Sequence, residues 1–346
     1  MKTYLYLAFK RIIRTGFHCY YREIRMCHME RVPTDRPVMI LPNHQSALMD
    51  PLLYAAFAKG KPYFLTRSDV FQNRVLKWIF EGLRMMPVYR LRDGRETLGR
   101  NQEVFERCAA LFSQGEQLLL FPEANHSLRR RVRPLSKGFT RILSQGYTQH
   151  PELDIAIVPA GMNYQAAARF PDRVAMFFGQ PINTLGYWSE QRQELDFNPL
   201  RECVFEAITE LTTHVPTDMN YEKWEAALEE GGTDFLDPET VNLQFKKESP
   251  PVRKKSRGGK SLAGHLWDWE FRLINAPVWL PWRWISKNKV PEPEFMSTFR
   301  FLYCLIVFPL YFLLAGVLLS LFTSVLTAIT ALSLLFLHNF IYVKLR

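Results

Sequence analysis

From Phe301 to Val343 the chain carries no Asp, Glu, Lys or Arg, and its single histidine is His338. No other feature limits so strictly what the chain can fold into. One membrane crossing takes about 20 apolar residues, so there is room for two short ones. The turn falls near Thr323-Ser324, with Pro309 inside the first arm. Arg283, Lys287, Lys289 and Arg300 stand before the stretch, and Lys344 and Arg346 close it. Cations at both ends and none at the turn predict a transmembrane hairpin over 301–343. Both its ends then face the cytoplasm, at an inner membrane if the source is bacterial. A buried helical pair would need a large apolar partner that the remaining chain does not supply.

The flanking segments read as membrane-facing too. Five of the eight tryptophans lie between Trp267 and Trp284, interleaved with Arg272, Pro277, Pro281 and Arg283. Such rings concentrate at headgroup depth, and guanidinium groups favour lipid phosphates, so 263–300 is expected to be interfacial. At the other end, Leu5, Leu7, Phe9, Ile12 and Ile13 alternate with Lys2, Lys10, Arg11 and Arg14. That stretch is too short and too charged to span. An amphipathic helix within 1–30, lying on the membrane, is expected instead. Residues 226–262 are expected to be a charged linker, for Lys246–Lys260 has Pro, Gly and many cations but no apolar period. The formal charge of +10 suits an anionic membrane and an acidic substrate or carrier. No nucleic-acid recognition motif accompanies it. Five scattered cysteines, with no Cys-x-x-Cys pair, predict neither a disulfide framework nor a zinc site.

This leaves 31–225 as the part that can hold a soluble core. Two short apolar runs there, 37–41 and 117–121, each end in a polar cluster: Asn43-His44 with Asp50, and Pro122-Glu123. Buried strands ending in loops are expected, and in open α/β sheets sites gather at such carboxyl ends. A histidine beside a carboxylate can deprotonate a hydroxyl with no metal and no covalent nucleophile. On one helix, six positions turn the chain by about 600° and separate the pair. His44 must therefore lie in a turn and Asp50 near a helix start, where Asp50 would cap and Pro51 would take the first helical position. Read alone, Asp50 could be a cap and nothing more.

Four ordered blocks carry the reading further. Asn43-His44 with Asp50, Met85–Arg90, Phe121-Pro122-Glu123 with Lys137-Gly138, and Val158-Pro159-Ala160-Gly161 resemble the glycerolipid acyltransferase family, of the lysophosphatidate acyltransferase type, over roughly 30–215. Five residues separate His44 from Asp50 where four are usual, and Ala124 stands where the family has glycine. The resemblance implies an α/β fold with a mixed, mostly parallel sheet flanked by helices. It also implies acyl transfer to a glycerolipid hydroxyl, with His44 as base and Asp50 orienting it. Asn43, Arg90, Pro122, Glu123, Lys137 and Gly138 would serve substrate binding. The donor would be an acyl thioester of coenzyme A or acyl carrier protein and the acceptor 1-acyl-glycerol-3-phosphate, or alternatively glycerol-3-phosphate or another lyso-lipid such as an amino-acid lipid, with no cofactor. Glu123 has three open roles: meeting the acceptor's hydroxyl, holding a basic loop residue, or bracing the site. The loop arginines 129–133 and backbone N–H groups of 43–49 are candidates for phosphate and oxyanion contacts.

Competing chemistries are weaker. His44, Asp50, Glu123 and His126 have no helical ligand spacing for zinc. A serine hydrolase would need a Gly-x-Ser-x-Gly elbow, which is absent. A lipid-binding scaffold on the same fold would have no use for His44, Asp50 and Glu123 together.

Overall fold

The computed structural model describes residues 2–71, 74–89, 99–246 and 262–346. Its centre is five parallel strands in the spatial order β4 (Met85–Val88), β3 (Tyr63–Arg67), β5 (Gln117–Leu119), β2 (Val38–Pro42) and β6 (Ala156–Tyr164). β7 (Asp172–Phe178) lies antiparallel to β6, and β1 (Tyr21–Cys27) pairs parallel with β7. The short β8 (Ile182–Asn183) is antiparallel to the start of β6. The sheet is thus mixed and mostly parallel, as the resemblance implies.

The apolar run before His44 is β2, and all five of its residues are buried. Successive side chains on a strand point to opposite faces. Val38 and Ile40 pack with α1 (Lys2–Tyr20) and α2 (Met49–Phe57). Met39 and Leu41 pack with α4 (Arg100–Ser113), α5 (Gly138–Gln149) and α6 (Phe197–Glu210). Helices on both faces explain why the run is continuously apolar rather than alternating.

The expected domain limits shift in two places. The N-terminal unit is shorter than 1–30, because residues 21–27 are the edge strand β1. α1 also has a buried side: Ile13, Phe17 and Tyr20 sit in the core, while Leu5, near Gly82 of α3 (Arg74–Gly82), and Leu7 and Ile12 stay exposed. Burying such a side chain is worth about 1.5–3 kcal/mol, so α1 is anchored to the sheet domain whatever its outer face meets. The stretch 226–246 is not linker. α7 (Tyr221–Glu230) and α8 (Pro238–Gln244) fold into a small cluster around Trp224, Leu228, Phe235 and Val241. The acidic surface of 222–230 masked this apolar stripe. The basic half of the expected linker, 247–261, lies outside the described residues.

α11 (Met296–Phe322) and α12 (Val325–Leu345) form the expected antiparallel pair. Both are long and apolar enough to cross a membrane. At 1.5 Å per residue they measure about 40 and 31 Å. Their free ends sit on the sheet domain. Phe301 stacks on Phe17 at 4.5 Å, Arg300 reaches the carbonyl of Ala168 at 2.9 Å, and Lys344 reaches that of Tyr21 at 2.8 Å. α9 (Leu262–Ile274) and α10 (Ala276–Asn288) brace the pair through mutual amide hydrogen bonds of Asn275 and Asn339, both 2.9 Å. Trp269 and Trp284 remain exposed on them.

Candidate active site

Because β2 and β5 are parallel neighbours, the loops leaving their carboxyl ends meet. The first loop folds back, and His44 Nδ1 lies 2.7 Å from Asp50 Oδ2. α2 begins at Met49, so Asp50 sits in its first turn and is not the N-cap. Its carboxylate nevertheless ties the turn together by accepting the N–H groups of Gln45 (2.8 Å) and Ser46 (2.9 Å) on the oxygen that meets His44. Its other oxygen accepts the Tyr164 hydroxyl at 2.5 Å. The Asp50 side chain is fully buried, whereas that of His44 is 15 % exposed. With Nδ1 turned to Asp50, Nε2 is the nitrogen left for chemistry.

Neighbours fix the imidazole from several sides. Phe121 stacks on it at 3.9 Å between centroids, and His126 meets it edge-on at 5.5 Å. The second loop holds the first: the His44 N–H donates to Glu123 Oε1 at 3.1 Å, and the Ser127 N–H donates to the His44 carbonyl at 3.0 Å. Arg133 Nε donates to Glu123 Oε2 at 2.8 Å. Burial raises the Glu123 carboxyl above its ordinary range, opposed by the Arg133 guanidinium and the His44 N–H. Of its three open roles, Glu123 fills the two structural ones, holding Arg133 and bracing the loop of His44. Ala124, where the family has glycine, has φ +60°, which costs a methyl-bearing residue on the order of 1 kcal/mol.

The remaining sequence-derived candidates disperse. Asn43 commits its amide to the backbone of Met162 on β6, accepting at 2.6 Å and donating at 3.1 Å. Pro122 is buried, and its carbonyl accepts the Ser136 N–H at 2.8 Å. Lys137 is exposed, with Nζ 5.1 Å from the Phe197 ring, and Gly138 opens α5. A Cβ on Gly138 would meet only ordinary contact, Ser136 Oγ at 3.7 Å. Arg90 lies outside the described residues.

The arginine-rich loop is largely occupied internally. Buried Arg130 donates to the carbonyls of Tyr164 (2.8 Å) and Gln165 (3.0 Å), and Arg131 to those of Val215, Pro216 and Met219. Arg129 pairs with Glu222 at the surface. These three clamp the helical cap of α7 to the sheet rather than lining the site. Four of the N–H groups suggested for the oxyanion are likewise taken: His44 by Glu123, Gln45 and Ser46 by Asp50, and Met49 by the Ser46 carbonyl.

Three contributors escaped the sequence reading. Tyr164 ends β6, whose pairing with β2 brings it under Asp50. Its strand period places it on the face of Val158, Ala160 and Met162, but no local signal gives the neighbouring strand. Glu292 and Phe295, at the start of α11, reach His126 from far along the chain. Among the described residues no cluster of three metal-ligating side chains occurs.

Parts of the chain are similar to known proteins. Residues 23–163 match the family model described as Acyltransferase. An uncharacterized acyltransferase of Schizosaccharomyces pombe is 26% identical over 118 residues, 33% of this chain and 17% of that protein. Glycerol-3-phosphate O-acyltransferase 1 of Saccharomyces cerevisiae is 30% identical over 79 residues, 23% of this chain and 10% of that protein. The chain therefore spans less than a fifth of the length of these relatives. A crystal structure of the 1-acyl-sn-glycerophosphate acyltransferase PlsC from Thermotoga maritima aligns with TM-score 0.44 at 19% identity, covering 60% of this chain and 78% of that one. The stretch that matches the Acyltransferase model, residues 23–163, is the one that holds His44, Asp50 and Glu123.

Proposed function

We propose that the protein is a membrane-bound O-acyltransferase that moves a fatty acyl group from a thioester to a glycerolipid hydroxyl. The observation that carries this reading is the 2.7 Å contact between His44 and the fully buried Asp50, at the carboxyl ends of two adjacent parallel strands. His44 Nε2 takes the acceptor's hydroxyl proton while Asp50 fixes the tautomer and stabilises the imidazolium. The alkoxide attacks the thioester carbonyl, and the tetrahedral intermediate collapses with loss of thiolate. The thiolate then takes the proton from His44, leaving an ester and a free thiol. Groups other than the N–H of residues 44, 45, 46 and 49 must meet the oxyanion.

The favoured acceptor is 1-acyl-glycerol-3-phosphate, giving phosphatidate, with coenzyme A or acyl carrier protein as carrier. Arg90 and Lys137 remain the proposed phosphate contacts through their place in the family's blocks. The yeast relative's name favours a second acceptor, glycerol-3-phosphate. The α11–α12 hairpin would span the membrane, with the sheet domain on the cytoplasmic face. Both ends of the hairpin rest on that domain, as two crossings require.

The test is a panel of labelled thioesters on both carriers, offered with 1-acyl-glycerol-3-phosphate, glycerol-3-phosphate and phosphate-free lyso-lipids. Ester formation on a phosphate-bearing acceptor, weakened roughly ten- to a hundredfold in Lys137→Ala, is the expected result. Equal turnover of phosphate-free acceptors would remove the phosphatidate assignment.

A further inference from the structure

The turn Pro293–Phe295 opens the first long apolar helix, yet it stands at the catalytic loop. His126, whose side chain is 8 % exposed, lies between His44 at 5.5 Å and Phe295 at 4.8 Å, meeting both rings edge-on. Its Nε2 is sealed from solvent and faces Glu292 Oε2 at 3.5 Å. Burial, and then His44, hold His126 below the ordinary histidine range, so near neutrality it is an uncharged ring beside the proposed base. Phe121 stacks on one face of the His44 ring. The His126 ring thus borders the imidazole whose Nε2 the acceptor hydroxyl must reach, and the lead-in to α11 contacts that ring through Glu292 and Phe295.

We infer that His126 is a wall of the acceptor site, and that Glu292 and Phe295 are positioning residues which hold it there and so make the root of the apolar hairpin part of the substrate site. The inference rests on His44 being the base. It gives the hairpin a second task beyond attachment: the element that meets the lipid phase also sets the gap through which the acceptor reaches the imidazole. A tilt of α11 would move Phe295 and Glu292 together and loosen His126, with no change at Asp50.

The experiment uses the full chain in detergent micelles, with 1-acyl-glycerol-3-phosphate and glycerol-3-phosphate as probe acceptors. The variants are His126→Asn, Glu292→Gln, Phe295→Leu and the double variant His126→Asn/Glu292→Gln, with His44→Ala beside them. Glu292 is largely exposed and Phe295→Leu keeps most of the bulk, so folding should survive, and thermal unfolding checks it. Each single variant should raise the acceptor KM about two- to tenfold, while saturating kcat and the donor KM stay within about twofold. The double variant should be no worse than His126→Asn alone, because Glu292 acts through His126. A fall in kcat at unchanged acceptor KM would mark a merely structural contact and overturn the inference, as would additive effects. If those results come with an inert His44→Ala, the acyl-transfer reading stands and only this inference fails. Full turnover in His44→Ala would overturn both.

Discussion

Around Asp50 the local chemistry is unusually well determined. One oxygen serves His44 and two backbone N–H groups, and the other serves Tyr164. Asp50→Asn removes the charge but keeps the shape. An amide cannot stabilise the imidazolium, and replacing the aspartate of a hydrolytic triad in this way costs about 10⁴ in kcat. Tyr164→Phe deletes one hydrogen bond of four, so a smaller fall in kcat, up to about tenfold, should come with an unchanged acceptor KM. Steady-state kinetics on both variants separate the two effects. Ala124 should respond in stability rather than rate. With φ at +60°, Ala124→Gly relieves strain and should stabilise the fold by about 0.5–1 kcal/mol, read as a rise in melting temperature. At this scale the sequence was most informative about His44, Asp50 and Glu123, because each follows an apolar run that could only be a buried strand. It was least informative about the arginines. Arg130 and Arg131 look like phosphate ligands in one dimension, yet their partners are carbonyls of β6 and of the loop before α7, and those pairings are long-range.

Elements place these side chains, and two contacts decide how firmly. On β6, a Cβ at Gly161 would come within 2.0 Å of the Leu211 carbonyl oxygen at the end of α6. Gly161→Ala must therefore push α6 away and break the hydrogen bond from Asn163 Nδ2 to the same carbonyl, at 2.9 Å. A loss of at least about 1–3 kcal/mol is expected, measured by thermal unfolding. The second contact joins the arginine loop to the segment after α6, where His214 Nδ1 accepts the Val132 N–H at 2.9 Å. Burial, with Arg131 nearby, lowers His214 from 6.5 to about 4. The unfolded chain thus takes up this proton before the folded one. The stabilisation is fully present above about pH 6.5 and is lost as pH falls toward 4. Asp172 acts with the opposite sign, since burial raises its carboxyl to about 7, so its contribution is lost as pH rises through the same window. The comparison must therefore be between wild type and His214→Gln, whose side-chain oxygen can still accept the Val132 N–H. The wild type should lose more stability than this variant between pH 7 and pH 5. The order of the strands was not legible in the sequence, because β2 sits between β5 and β6 only through pairings that span most of the domain. The cap formed by α7 and α8 was missed because Trp224, Leu228 and Val241 are separated by acidic residues whose charge dominates the composition.

Over the whole molecule, the sheet domain and an apolar helix pair share one interface. Phe17 on Phe301, Arg300 on Ala168 and Lys344 on Tyr21 tie the root of the pair to α1, β1 and the loop after β6. The apolar composition of 301–343 made the pair legible, but its docking onto the sheet was not. The full chain is expected to need detergent for extraction, and removing the chain after Pro291 should let alkaline carbonate release it, as fractionation would measure. The truncation should also weaken acceptor use, because it removes Glu292 and Phe295 from His126. The account stands or falls, however, on His44. The most direct measurement is acceptor-dependent thiol release by purified full-length wild type, His44→Ala and Asp50→Asn, each shown to be folded by its melting temperature. The account predicts robust release for wild type, a fall of about 10²–10⁴ or more for both variants, and near-native melting. Wild-type rates in either folded variant would contradict it.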